Sequence, residues 1–174
     1  MKIINLNYNQ IQGHVSEVLR QLSKDNWNPD YIVGISRGGL LPATLISQYL
    51  HLPMYTLKVT LRDGIDEDCD HNAWMAEDAI GYENNEFTQR KNILIVDDIN
   101  DSGETIEWIK KDWACSAFYD DPRWETVWNN NVRFATVVNN IASKERVNYY
   151  GMEINKVDDP AWIEFPWENW WKKT

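Results

Sequence analysis

The sequence predicts an α/β domain built on a mainly parallel central sheet flanked by helices. Short apolar runs alternate with amphipathic helical stretches, and the runs turn almost directly into helices. The 174 residues hold no internal repeat, low-complexity tract or Pro/Gly/Ser linker, so a single domain, 1–174, accounts for the chain. A domain of that size buries roughly 70% of the surface its unfolded chain exposes, and a composition that is 43% hydrophobic can supply the core.

The elements follow from periodicity and punctuation. Ile11, Val15, Val18, Leu19 and Leu22 recur at helical spacing, which predicts an amphipathic helix over 10–24, and Asn28-Pro29 breaks it. Residues 31–35 form a short apolar strand, and Ser36-Arg37-Gly38-Gly39 turns it into a helix over 40–50. Pro42 is tolerated there because it lies in the first turn. Residues 54–60 read as the next strand. The polar stretch 61–91, with seven acids between Asp63 and Asp78, reads as a long loop of the kind that serves as a lid.

Residues 92–96 are the clearest buried strand, and a helix over 104–114 follows. Asp121-Pro122 supplies an N-cap and first-turn proline for a short helix over 123–129. A strand is expected over 132–138, and short strands or turns over 147–171. In sheets of this kind ligands bind beyond the carboxyl ends of the strands.

Composition narrows the function. A formal charge of −10 repels phosphate backbones and argues against nucleic-acid binding, though not against a small phosphorylated ligand held in a local pocket. No stretch approaches the ~20 apolar residues of a membrane span. Residues 1–9 lack the layout of a signal peptide, and Cys69 and Cys115 cannot make a disulfide framework, so the expected location is the cytoplasm. Ten tryptophans suit core packing and subunit contacts.

The chemistry is concentrated in Ile93-Leu94-Ile95-Val96-Asp97-Asp98-Ile99-Asn100-Asp101-Ser102-Gly103-Glu104-Thr105. A buried strand ends in two carboxylates, and a small, hydroxyl-rich turn then starts a helix. Helix N-terminal N–H groups, a glycine and the Ser102 and Thr105 hydroxyls are what a phosphate monoester needs. Asp97 and Asp98 suit ribose hydroxyls, directly or through hydrated Mg²⁺. Taken singly, these residues read as solvated strand-end acids and a plain N-cap.

In register, the run resembles the diphosphoribosyl-binding signature of type I phosphoribosyltransferases: apolar strand, two acids, two spacers, Asp, Ser/Thr, Gly, any residue, Thr. The fold implied is that family's, with a small C-terminal hood over about 140–171. Gly34-Ile35-Ser36-Arg37-Gly38-Gly39-Leu40 is similar to the pyrophosphate loop of the purine-salvage branch. That resemblance implies diphosphate binding by Ser36, Arg37, Gly38 and Gly39, and a strained non-proline peptide beside Arg37 for which the cis form is open. Asp159-Pro160-Ala161-Trp162-Ile163-Glu164-Phe165-Pro166-Trp167-Glu168 is similar to the tail of xanthine-guanine phosphoribosyltransferases. By that likeness Trp162 stacks on the base and the Ile163 backbone meets its 2-position.

The resemblance thus implies Mg²⁺-dependent transfer from 5-phosphoribosyl 1-diphosphate (PRPP) to a purine base, in a dimer or tetramer. PRPP would lie on Asp97, Asp98 and Asp101 to Thr105 (with Gly103 and Glu104) and on residues 36–39, with Asp101 and Arg37 catalytic. The chain departs from the pattern in three places. Asn140 stands where the relatives carry a lysine for the purine 6-oxygen; an amide donates to an oxo group but also accepts from an amino group, so the base stays open there. The connection over 115–131 is longer than usual, and 61–79 lacks the usual Ser-Tyr pair of the catalytic loop. The acids of that loop and His71 lack the glycine and terminal glutamate of a calcium loop and read as a solvated lid.

Overall fold

The computed structural model describes residues 1–61, 73–81 and 89–172. Its centre is a five-stranded, wholly parallel sheet in the order β3-β2-β4-β5-β6, where β2 is Tyr31–Ser36, β3 Met54–Lys58, β4 Ile93–Asn100, β5 Val132–Asn140 and β6 Tyr149–Ile154. A separate parallel pair joins β1, Lys2–Asn5, to β7, Ala161–Glu164. Strand order reverses between β2 and β4, and the crevice at such a switch point is where open α/β sheets bind ligands.

Both faces of the sheet's centre are covered, so β2 and β4 are apolar on both sides. Along β4, Ile93 and Ile95 enter one core and Leu94 and Val96 the other. The second core is closed by α1, Tyr8–Asp25, through Ile11, Val15, Val18 and Leu22, and by α2, Leu40–Leu50, through Ala43 and Ile46. Asn7 and Gln10 form a reciprocal capping box that fixes the start of α1. Leu6, Ile163 and Phe165 join this core, which anchors the β1–β7 hood to the sheet.

The first core is closed by α4, Glu104–Ser116, and by α3, Ala73–Ile80. The latter corrects the reading of 61–91 as one loop: Met75, Ala76, Ala79 and Ile80 are buried against α4. Its four apolar contacts outweigh the polar composition of the flanks that masked them. The expected lid falls mostly on 62–72 and 82–88, which lie outside the described residues, as do Cys69 and His71.

The long connection after α4 also differs from expectation. Its helix is a 3₁₀ segment, Pro122–Thr126, which starts at the Asp121 cap as expected. It carries Trp124 onto Trp128, rings 5.5 Å apart and stacked, with Trp113 fully buried beside them. Arg90 laces this segment to α3 by donating to the carbonyls of Ile80, Arg123 and Thr126. The connection is therefore a lid on the first core. Among the described residues no helix is long and apolar enough to cross a membrane.

Candidate active site

Two strands meet at the switch point. β2 ends in the turn Ser36-Arg37-Gly38-Gly39, and the Ser36–Arg37 peptide bond is cis. β4 carries Asp97 and Asp98 directly after its last fully buried apolar position, Val96. The two segments touch at Gly38: a Cβ there would stand 1.9 Å from Asp98 Oδ2, so only glycine lets the turn reach the carboxylate. Arg37 is exposed on the turn and has no ion-pair partner among the described residues.

A cavity of about 230 Å³ opens over this point, lined by Asp97, Asp98, Asp101 and the turn Ser102-Gly103-Glu104-Thr105. Burial, and then the neighbouring Asp98 charge, push the Asp97 carboxyl well above the usual carboxylate range; burial raises Asp98 as well. Each carboxylate accepts the next backbone N–H in chain order, Asp98 N to Asp97 Oδ1 at 2.9 Å and Ile99 N to Asp98 Oδ1 at 2.8 Å. Two close acids without a cationic partner make a site that favours a cation or hydroxyl donors.

The turn into α4 is shaped for an anion. Gly103 takes φ 91°, a left-handed conformation that favours glycine, and caps the helix without a side chain of its own. Ser102 Oγ accepts the Glu104 N–H at 3.3 Å. Asn100 fixes the turn from below: it donates to Asn139 Oδ1 at 3.0 Å and to the Glu145 carbonyl at 2.9 Å, and accepts from Ser143 Oγ at 3.0 Å. First-turn amides and the helix dipole then face the cavity as they do at other phosphate sites.

Asp101 is half-exposed and linked to the hood. Asn140 Nδ2 donates to its carbonyl at 3.1 Å and approaches its Oδ1 at 3.4 Å, and Lys156 Nζ pairs with its Oδ2 at 2.7 Å. Asn140 Oδ1 accepts from the backbone of Ala142 and of Lys156, so both ends of that amide are engaged inside the protein. Trp162 stands 52% exposed on β7, with the Lys156 ammonium 6.0 Å from its ring centroid. Ile163, its neighbour, turns its side chain into the core and is 5% exposed.

The strand-end acids, the β4–α4 turn and the β2 turn are thus brought together, and Asp101 is joined to Asn140. Sequence reasoning passed over Lys156, which lies 55 positions from Asp101 in a segment with no strand or helix spacing to mark it. It also passed over Thr136, paired in register with Asp97, whose buried hydroxyl lines the cavity without a partner among the described residues. A threonine inside an apolar strand gives no outward sign of that placement.

The donor set fits hydrated magnesium. Among the described residues no three metal-binding side chains cluster. Magnesium asks for less, one or two carboxylates with the remaining oxygens from substrate and water, and Asp97 and Asp98 could supply those carboxylates.

Residues 6–173 match the phosphoribosyl transferase domain family. Two xanthine-guanine phosphoribosyltransferases are similar in sequence. The one from Cereibacter sphaeroides is 30% identical over 79% of this chain and 68% of its own. The one from Roseobacter denitrificans is 29% identical over 79% and 67%. Among solved structures, a purine phosphoribosyltransferase from Pyrococcus horikoshii superposes with a TM-score of 0.64 at 22% identity, covering 97% of this chain and 96% of that one. With its signature lying at the sheet's switch point, the chain belongs to the phosphoribosyl transferase family and is an enzyme of the type I phosphoribosyltransferase class.

Proposed function

We propose that this enzyme transfers the 5-phosphoribosyl group of PRPP to a 6-oxopurine (xanthine, guanine or hypoxanthine), releasing pyrophosphate and forming a nucleoside monophosphate. The observation that carries the proposal is the approach of Gly38 to Asp98, which sets a diphosphate-type turn against an acid lining the cavity of the ribose-and-phosphate-type turn. The purine acceptor is supported by the names of the similar enzymes and by the exposed face of Trp162.

In this reading the 5-phosphate sits in the Ser102 to Thr105 turn, and Asp97 and Asp98 orient the ribose hydroxyls. Arg37, with the Gly38 and Gly39 amides, meets the departing pyrophosphate. Asp97 and Asp98 would hold magnesium, and the ion would supply charge neutralisation for the diphosphate. Cleavage of the anomeric bond leaves an oxocarbenium-like centre, so catalysis is chiefly positioning and charge stabilisation. Asp101 carries negative charge beside that centre and takes the proton from the purine imidazole nitrogen. Ile163 offers its backbone to the 2-position of the base. Asn140 contributes by fixing Asp101 through the bonds described above. Cytoplasmic residence and a homo-oligomer, supported by exposed Trp170 and Trp171, complete the reading.

The test is incubation of the protein with PRPP, Mg²⁺ and a mixture of guanine, xanthine, hypoxanthine, adenine, uracil and orotate, with nucleotides identified by mass spectrometry. A dominant 6-oxopurine nucleotide is expected. PRPP binding without any product would overturn the acceptor assignment, and absence of PRPP binding would overturn the whole reading.

A further inference from the structure

Lys156 stands where a base-reading group is needed. Its loop, between β6 and β7, is pinned by Asn155, whose Oδ1 accepts from the Val157 N–H and whose Nδ2 donates to Asp158 Oδ2. The Lys156 N–H donates to Asn140 Oδ1 at 3.1 Å. Its side chain is 20% exposed, far less than an ordinary surface lysine, and its ammonium meets Asp101 Oδ2 at 2.7 Å and the face of Trp162 at 6.0 Å. Those two partners are the acid and the aromatic plane that the proposed function gives to the acceptor.

An ordinary surface ion pair contributes little to stability and has no reason to lie between these two groups. Asn140, the other polar candidate for the base, has its amide nitrogen on Asp101 and its oxygen on two backbone N–H groups. The ammonium keeps donors beyond the one that Asp101 takes, since lysine carries three and accepts none.

Resting on the function proposed above, we propose that Lys156 is the specificity-determining residue for the acceptor. It donates to an oxo oxygen of a base lying on Trp162 while holding Asp101 in place. A donor-only group favours an oxo edge and faces an amino edge with donor against donor, so it selects by repulsion as well as by attraction. The lysine reaches the base from the hood rather than from the end of β5.

The experiment compares wild type with Lys156→Met, Lys156→Gln and Lys156→Arg. It measures kcat and KM for hypoxanthine and adenine at saturating PRPP, PRPP affinity by calorimetry, and folding by thermal melting. Lys156→Met is expected to lower kcat/KM for hypoxanthine roughly 10- to 100-fold, mostly through KM, with PRPP affinity unchanged within about 3-fold. Lys156→Gln, which can also accept, should shift the hypoxanthine-to-adenine ratio towards adenine, and Lys156→Arg should retain most of the wild-type preference. If wild type is active and folded Met or Gln variants keep its base ratio within about 3-fold, Lys156 is not the specificity residue. If wild type makes no nucleotide from any purine, the proposed function falls, and this inference falls with it.

Discussion

Gly38 and Asp98 lie so close that a Cβ on the glycine would stand 1.9 Å from the aspartate Oδ2 and 2.4 Å from its Cγ. The contact joins the ends of β2 and β4 across the switch point, and what it meets is the tip of a side chain. Gly39 differs: a Cβ there would meet the Val96 carbonyl at 2.3 Å and the Ile35 carbonyl at 2.8 Å, which are backbone.

The two glycines should therefore fail in different ways. Gly38→Ala is expected to push the Asp98 carboxylate aside, lowering kcat/KM for PRPP at least ~10-fold with little change in melting temperature. Gly39→Ala must move a strand, and should cost about 2 kcal/mol or more of stability. Activity assays beside melting curves separate the two; equal loss of stability in both would refute the distinction.

Asp97 is held against its own charge by burial and by Asp98. Its folded pKa is raised, so the native protein binds more protons than the unfolded chain. Stability is then fully present below the ordinary carboxylate pKa of about 4 and is lost as pH rises towards the folded value. Asp97→Asn keeps an acceptor for the Asp98 N–H and removes the charge. In the absence of ligands it should melt a few degrees higher than wild type at pH 7, with a smaller gap at pH 4, while activity drops ~100-fold or more.

Asp101→Asn retains the shape at the mouth of the turn and removes the charge that Lys156 meets. We expect kcat to fall ~100-fold or more while PRPP affinity holds within a few-fold. Near-normal turnover in single-turnover and steady-state assays would remove Asp101 from the chemistry.

Tyr149 supplies an alkaline marker on β6. Its hydroxyl donates to Asp25 Oδ2 at 2.6 Å and accepts from Arg133 at 2.7 Å. Burial of the phenol, then the bond to Asp25, raises its pKa from 10.0 to about 12. The folded value lies above the unfolded one, so this contribution is intact below pH 10 and is lost as pH climbs towards 12. Melting curves should show wild type losing stability over that interval more steeply than Tyr149→Phe. Parallel curves would contradict the assignment.

Much of the fold was legible along the chain. The helical spacing of Ile11, Val15, Val18 and Leu22 marks the buried face of α1, and the unbroken run Ile93 to Val96 marks a strand covered on both sides. Helix α3 was not legible, because eight residues within an acidic stretch give too short a period to see. Strand β1 was missed for a related reason: its four residues are mostly exposed and gain strand character only by pairing with β7.

By itself the sequence determined the candidates for a phosphate turn, paired acids and a diphosphate-type loop, because each is a contiguous run whose chemistry depends on residue order. Only the tertiary structure decided which distant groups meet. It set Gly38 against Asp98, placed Thr136 under the cavity, engaged Asn140 within the protein, and brought Lys156 across to Asp101 and Trp162. Local order fixes what a segment can bind. The sheet's strand order and the docking of the hood, which bury apolar surface, fix which segments share a site.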